Sequence, residues 1–341
     1  MGHWRGVNAA APAVGRAVDA ARSSLRAALG DRVRSAGSDR AEALAQDGTP
    51  LVENAAVQVL GDSVRIVDVV TPTAARFEGF LDGIQRSSTI AYLDGVPLLH
   101  GTAAAAIRVR DAGGRMTTWC APRIEHAIYA SRALLGEPTW TTLRDVLEPR
   151  AHIIRDSDNG LPVPSRHPSA LLRQSLDALS RVRNDMERAM GDAWCDAHAD
   201  RALYVDGSLR TSHVMLRSPG VVGAVKSHAT LYVPDTAFQM VASLGAGQRT
   251  SVLAALDAAG RTRFLTWYLR LRSAVGRDPF FGLIRVECGA RDGDVGAVET
   301  HADEVSSWLL AERAPIAKPD ARWDVMPYAI RDCEVYLRAV A

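Results

Sequence analysis

Two aspartates in this sequence, Asp82 and Asp206, each stand directly after an apolar run and directly before a glycine. The runs predict buried strands, and a carboxylate at the end of such a strand is unfavourable unless a cation lies beside it. Two carboxylates on adjacent strands would supply the oxygen ligands that Mg²⁺ and Mn²⁺ prefer. The pair therefore predicts a divalent-metal site and phosphodiester chemistry. A single Asp-Gly pair is also an ordinary turn signal, which is what we expect of Asp94-Gly95.

More acids are needed, because two metal ions ~3.5–4 Å apart require more than two carboxylates. A helix predicted over 169–191 carries Glu187 at the edge of its apolar stripe, where it could reach the sheet or pair with Arg183. The last helix is expected to begin at Pro327. It carries Glu334 close to its apolar stripe and Asp332 further away, so either acid could complete the metal site or face solvent.

Cationic residues near these acids could bind phosphate. Lys226 ends a strand predicted over 221–225 and could stabilise a phosphate or a leaving oxygen, or could be a surface lysine. Arginines interleave with Phe264, Trp267 and Tyr268 in a stretch that would either contact and stack on DNA or form a core helix with outward arginines. The candidate nucleic-acid-binding residues are Arg86, Arg263, Arg270 and Arg272.

The composition limits the class of protein. The 341 residues are 47% hydrophobic and 23% charged, which is typical of a globular chain. No apolar run approaches the ~18 residues that span a bilayer, so we expect no membrane association. The four cysteines form no CxxC pair, which favours a reducing cytoplasm over a disulfide framework. A net charge of +1 means that any DNA-binding surface must be a local patch.

The order of elements predicts an α/β fold with a mixed sheet flanked by helices. Apolar residues spaced three or four apart predict an amphipathic helix within 10–46, and residues 1–50 are interpreted as an N-terminal helical extension. Residues 51–341 form the predicted main domain, which includes a small β insertion. Strands over 77–84, 89–93 and 104–109 predict an antiparallel meander, before a helix over 122–135 and a loop or lid over 151–168. Later strands are expected over 203–205, 221–225 and 281–288.

Several short motifs follow one another in an order found in a known family. They are Leu81-Asp82-Gly83, Arg183 with Glu187, Tyr204-Val205-Asp206-Gly207-Ser208-Leu209, Val222-Gly223-Ala224-Val225-Lys226, Trp267-Tyr268-Leu269-Arg270-Leu271, Arg285-Val286-Glu287 and Pro327-Tyr328-Ala329-Ile330. With these residues the chain resembles the NurA family of nucleases over roughly 75–340. The ordered set is more specific than any single motif.

The resemblance implies an RNase H-like fold and a nuclease dependent on Mn²⁺, or Mg²⁺, with two ions. It also implies 5′ to 3′ digestion of DNA, a homodimer, and docking on the hexameric HerA ATPase. It assigns metal binding to Asp82, Glu187 and Asp206. The family usually has a histidine on the terminal helix. No histidine follows His301 in this chain, and Glu334 or Asp332 stands near that place, as a carboxylate does in other RNase H-like nucleases.

Two other functions stay open on the sequence alone. The altered terminal helix and the nearly neutral charge would also suit a nuclease-like scaffold that binds the ATPase without cutting DNA. A pair of carboxylates could instead hydrolyse a glycosidic bond. Only 6% of the residues are aromatic, however, and sugar-binding platforms usually need more.

Overall fold

The computed structural model describes residues 10–35, 53–70, 76–150, 152–158, 166–226, 230–291, 293–313 and 322–341. Within these residues, helices flank one large mixed β-sheet, which confirms the expected α/β class. The strands are β1 (Val33–Ser35), β2 (Glu53–Asn54), β3 (Val57–Val59), β4 (Ile66–Asp68), β5 (Gly79–Leu93), β6 (Val96–Arg110), β7 (Met116–Thr118), β8 (Arg123–Ala130), β9 (Ile153–Asp156), β10 (Leu203–Val205), β11 (Val221–Val225), β12 (Thr230–Leu231), β13 (Gln248–Thr250), β14 (Leu253–Leu256), β15 (Thr262–Arg270) and β16 (Leu283–Gly289). The α-helices are α1 (Ala10–Leu29), α2 (Arg132–Leu135), α3 (Glu137–Leu147), α4 (Pro168–Ala197), α5 (His213–Arg217), α6 (Phe238–Ser243), α7 (Val295–Ala311) and α8 (Tyr328–Val340).

The sheet order brings distant parts of the chain together. Its main path is β3-β14-β15-β16-β11-β10-β5-β6-β8-β9. The short strand β10 is parallel to both of its neighbours, β5 and β11. The β5–β6, β6–β8 and β15–β16 pairs are antiparallel. Because β5 continues to Leu93 while β10 ends at Val205, opposite Leu81, the carboxyl end of β10 opens beside the first third of β5.

A long hairpin forms where separate strands were expected. The stretches 77–84 and 89–93 belong mainly to the single strand β5, with a register shift between Thr89 and Ala91, and 104–109 lies within β6. Asp94 and Gly95 join β5 to β6 with φ angles of 49° and 84°. Two positive φ angles are what a two-residue hairpin turn of type I′ requires. The turn predicted at Asp94-Gly95 is therefore confirmed.

The helix predicted over 122–135 is wrong for most of its length. Strand β8 pairs with β6 on one side and with β9 on the other, and only the short α2 follows it. Hydrogen bonding on both sides outweighs the helix-like signal of Pro122. Strand β9 also lies within the loop predicted over 151–168, of which residues 151 and 159–165 fall outside the described residues.

The amphipathic N-terminal helix is confirmed over Ala10–Leu29, where Ala21 and Leu25 pack into an apolar cluster with strand residues. Residues 36–46 of the predicted stretch lie outside the described residues. None of the helices in the described ranges combines the length and apolar character that crossing a membrane requires.

Helices α4 and α8 cover opposite faces of the sheet. Met190 and Trp194 of α4 pack in one cluster with Leu81 of β5. Leu337 of α8 packs in another with Ile84 of the same strand. Residues an odd number apart in a strand point to opposite faces. The two helices therefore approach the same early part of β5 from its two sides.

Candidate metal centre

The pairing of β5 with β10 brings Asp82 and Asp206 side by side. Leu81 is the partner of Val205, and the Asp206 N–H donates to the Leu81 carbonyl at 3.0 Å. Neighbouring strands lie ~4.8 Å apart, so the two aspartates start one strand spacing from each other. From the sequence, both aspartates are expected at strand ends. This is correct for Asp206, which follows β10, but wrong for Asp82, because β5 continues through it.

Asp82 has the most unfavourable electrostatic environment in this group. Its side chain is buried, Oδ1 accepts a hydrogen bond from the Gly83 N–H, and the buried Oδ2 has no hydrogen-bond partner among the residues that the structure describes. Burial, followed by the negative charge of Asp206, raises the pKa of Asp82 well above its usual range. Glu187 and Glu334 raise this pKa further, whereas Lys226 opposes the shift. A carboxylate oxygen left without a partner in the interior is a position that a cation would stabilise.

Glu187 reaches this group from α4 across Gly83. Its Oε1 lies 3.3 Å from Arg183 Nε, so the alternative of an i−4 ion pair is realised while the carboxylate still faces the sheet. A Cβ built on Gly83 would lie only 2.1 Å from Glu187 Oε1. Burial raises the pKa of Glu187 to about 7, with Arg183 opposing the shift and Asp206 adding to it.

Lys226 contacts the acidic group directly. Its Nζ donates to Asp206 Oδ2 at 2.8 Å, and the two side chains are only 14% and 13% exposed. It follows β11, the parallel neighbour of β10 on the side away from β5. The surface-lysine alternative is therefore wrong, and the ammonium group supplies the nearest positive charge to Asp206.

The two acids of α8, Glu334 and Asp332, bind different arginines. Asp332 is bound by Arg108 of β6 at 3.0 Å. Glu334 accepts hydrogen bonds of 2.6 Å from both Arg322 and Arg331. Burial raises the pKa of Glu334, but the two arginines outweigh it and the net shift is downward. Of these two acids, only Glu334 contributes to the raised pKa of Asp82. Glu334 is therefore the α8 acid that interacts electrostatically with the acidic group.

The negative charges of Asp206, Glu187 and Glu334 all raise the pKa of Asp82, but the four carboxylates are not positioned to bind one metal ion together. Among the residues that the structure describes, no three His, Cys, Asp or Glu side chains are grouped closely enough to hold one metal ion. The reason is visible in the contacts, because Asp206, Glu187 and Glu334 each face a lysine or an arginine. The unpartnered Asp82 Oδ2 and the all-oxygen donor set nevertheless fit a hard divalent cation. The other carboxylates would have to turn from their present partners toward it.

Glu287 supports the turn beside the acidic group, a role that its sequence context does not predict. This buried β16 residue accepts hydrogen bonds from Ser208 Oγ at 2.8 Å and from the Leu209 N–H at 2.7 Å. It also pairs with Arg285 at 2.6 Å. These contacts hold the turn that follows Asp206, and they explain why serine occurs in the Asp-Gly-Ser-Leu motif. No local sequence signal connects positions 208 and 287.

The predicted DNA-contacting arginines divide into two groups. The prediction that Arg270 contacts DNA is wrong, because this side chain is fully buried and donates to backbone carbonyls, including that of Leu244 at 2.9 Å. Arg272 is half-buried, donates to the Arg313 carbonyl and lies over the Trp323 ring. Arg86 and Arg263 are exposed, so they stay candidates.

The aromatic stacking platform expected in the same stretch is also wrong. Phe264, Trp267 and Tyr268 are buried in strand β15, not arranged on a helix and not presented to solvent. Strands buried on both faces have near-continuous apolar sequences, which removes the alternation that would have identified this one.

Comparison with known proteins adds no relative to this picture. No model of a known protein family matches the chain, and a search of the curated proteins finds no significant match. Any functional interpretation therefore starts from the residues and their geometry.

Proposed function

We propose that this chain is a metal-dependent nuclease that hydrolyses phosphodiester bonds in DNA. The observation that carries the proposal is the buried Asp82 carboxylate beside Asp206, with one oxygen that lacks a hydrogen-bond partner among the described residues. Burial makes the ionised form of such a carboxyl group unfavourable unless a cation lies beside it, and carboxylates from neighbouring strands suit the ions that catalyse phosphodiester hydrolysis.

An RNase H-like fold is the more specific architecture that we propose. It is supported by β10 lying parallel to β5 and β11, and by acids that approach β5 from helices on opposite faces. The ordered motifs shared with the NurA family support the same assignment. From that resemblance we further propose 5′ to 3′ digestion, a homodimer in the cytoplasm, and a HerA-type hexameric ATPase as partner in DNA end processing or defence.

We assign the residues of the site three roles: metal binding, charge neutralisation and positioning of Asp206. Asp82, Asp206, Glu187 and Glu334 would hold Mn²⁺ or Mg²⁺ ions, which when bound supply an activated water and stabilise charge on the departing oxygen. Lys226 neutralises Asp206 before metal binding and keeps a positive charge at the mouth of the site, where phosphate charge develops. Glu287 fixes the turn through Ser208, so that Asp206 enters the site in one orientation.

The proposal is tested by the variant Asp206→Asn on labelled linear DNA with Mn²⁺. We expect degradation to fall at least 100-fold while the chain stays folded at the assay temperature. The matched control is Asp94→Asn, the same change in an Asp-Gly pair whose aspartate forms a surface ion pair with Arg32. Equal activity of Asp206→Asn and the wild type would contradict the assignment of the site.

A second candidate function is a scaffold that binds the ATPase without cutting. It is favoured by the contacts that Arg322 and Arg331 make with Glu334, which leave that acid fully engaged. The same assay separates the two functions when it is run with and without the ATPase. Absence of Mn²⁺-dependent degradation in both conditions would support the scaffold.

A further inference from the structure

A basic groove lies on the surface beside the turn that follows Asp206. It encloses about 500 Å³ between helix α5, the turn joining β14 to β15, and the residue that follows β16. Its lining residues are His213, Leu216, Arg217, Asp257, Arg261, Thr262, Arg263 and Ala290. Three arginines and a histidine therefore face one aspartate.

The positive charge in this groove is only partly neutralised from within, because one lining aspartate faces three lining arginines. Asp257 pairs with Arg261 at 2.9 Å and accepts from the N–H groups of Ala259 and Arg261, so its carboxylate is already used in the turn. The Arg217 guanidinium is exposed and makes no hydrogen bond or ion pair with the part of the chain that the structure describes. Arginines in such a groove are suited to bidentate contacts with phosphate oxygens.

The groove is physically connected to the acidic site. Arg263 donates to the Arg210 carbonyl, and Arg210 Nε donates to Ser208 Oγ at 3.2 Å. Ser208 in turn donates to Glu287, so the backbone and side chain of Arg210 together link Arg263 to the turn carrying Asp206. Asp206 and Arg210 are four positions apart in the chain, a span of at most ~14 Å when extended. A strand bound in the acidic site would therefore pass within a few nucleotides of the groove.

We infer that this groove binds the phosphodiester backbone of the DNA strand on one side of the position that is cut. The inference rests on the proposed nuclease function and extends it by naming the surface that holds the substrate. Apart from the His213 imidazole, the lining contains no aromatic ring, so the groove offers phosphate contacts without a stacking platform. Contacts to phosphate position a strand without reading its sequence, and we expect binding to be independent of base composition.

The test measures binding apart from cleavage. Fluorescence anisotropy of a labelled 30-nucleotide DNA in EDTA compares the wild-type chain with the triple variant Arg217→Gln, Arg261→Gln, Arg263→Gln. The matched control removes three exposed arginines elsewhere, in Arg115→Gln, Arg166→Gln, Arg173→Gln. Both variants lose the same net charge, so a difference between them reports the groove itself.

We expect the groove variant to bind DNA at least 10-fold more weakly near 0.1 M salt, and the control variant to bind within twofold of the wild type. The slope of log affinity against log salt should become less steep by roughly two, because each lost phosphate contact removes ~0.7–0.9. Equal weakening in both variants, or none in the groove variant, would overturn the inference. So would polyglutamate competing as well as DNA, because that result would assign the groove to an acidic protein partner.

The same variants distinguish failure of this inference from failure of the nuclease function. In a Mn²⁺ degradation assay, the groove variant should show a raised KM for long DNA with kcat unchanged. If the wild type binds DNA through the groove but degrades none, the nuclease function fails while the binding surface stands. If the wild type degrades DNA and the groove variant keeps the wild-type KM, the groove inference fails alone.

Discussion

The Glu187 carboxylate occupies the space that a side chain on Gly83 would fill, with Oε1 2.1 Å from the position of the missing Cβ. Asp82 and Gly83 are consecutive in β5, so their side-chain positions face opposite sides of the sheet. Aspartate at one position and glycine at the next let acids from both faces approach the same point of one strand. The glycine of the first Asp-Gly pair therefore has a steric role that differs from that of a turn glycine.

The first prediction concerns Gly83→Ala. The added methyl group would displace the Glu187 carboxylate, and a misplacement of about 1 Å in a catalytic group can reduce activity roughly 100-fold. We expect Mn²⁺-dependent degradation to fall by about that factor, measured as kcat on linear DNA. Gly113→Ala is the control, since its Cβ would come no closer than 3.4 Å to Asp111 Oδ1 and should leave activity unchanged. Wild-type activity in Gly83→Ala would show that Glu187 has no part in the reaction.

The second prediction concerns Lys226→Met in the absence of metal. The substitution leaves the Asp206 carboxylate, only 13% exposed, without its cation. Removing one partner of such a pair costs about 3 kcal/mol, and we expect a loss of that order in the free energy of unfolding measured with urea in EDTA. Mn²⁺ at 100 times its dissociation constant should restore about 2.7 kcal/mol. Lys226→Arg keeps the charge and should stay near the wild type, whereas similar stability of all three proteins would contradict the role of the pair.

The third prediction is that metal binding releases protons. The pKa of Glu187 is raised to about 7 and that of Asp82 is raised well above its usual range, mainly by burial, so both acids keep their protons to a higher pH than exposed carboxyl groups do. A cation must displace these protons. We expect Mn²⁺ affinity to rise at least 10-fold from pH 6 to pH 8. Calorimetry in two buffers of different ionisation enthalpy measures the number released, and affinity independent of pH would contradict the shifts.

The fourth prediction concerns stability without metal. The pKa of Glu187 rises in the folded state from 4.5 to about 7, mainly through burial, so the folded protein binds an extra proton between these values. This contribution is fully present below about pH 4.5 and is lost as the pH rises through about 7. We therefore expect Glu187→Gln, which mimics the protonated acid, to raise the melting temperature in EDTA at pH 8 and to change it little at pH 5. The opposite order would show that the carboxylate is stabilised as an anion.

Local chemistry explains which elements the sequence could predict. The hairpin turn at Asp94-Gly95 requires positive φ angles that few residues tolerate, and its two-residue signal is contained within the turn. The long helix α4 carries a regular apolar stripe over many turns, which made it predictable in the same way. In contrast, β8 and β15 are paired on both sides within the sheet, and partners far away in the chain decide their structure.

The candidate site was predictable only in part for a related reason. Asp82 and Asp206 each had a local signal, a carboxylate following an apolar run. The arginines that hold Glu334, and the contact of Glu287 with Ser208, depend on the arrangement of α8 and β16 around the sheet. Arg270 was predicted to contact DNA for a similar reason, because its burial also depends on distant parts of the chain. A buried guanidinium bound to backbone carbonyls has the same sequence pattern as a surface cation.

The most direct test of the central claim is a crystal of the chain soaked in MnCl₂, with data collected at the manganese absorption edge. We expect an anomalous peak within ~2.5 Å of carboxylate oxygens of both Asp82 and Asp206. The Asp82 Oδ2, which has no partner among the described residues, should be one of the ligands. Glu187 or Glu334 should have turned toward the same ion. A soaked crystal that binds manganese elsewhere, while Lys226 still contacts Asp206 and Asp82 Oδ2 stays without a ligand, would contradict it.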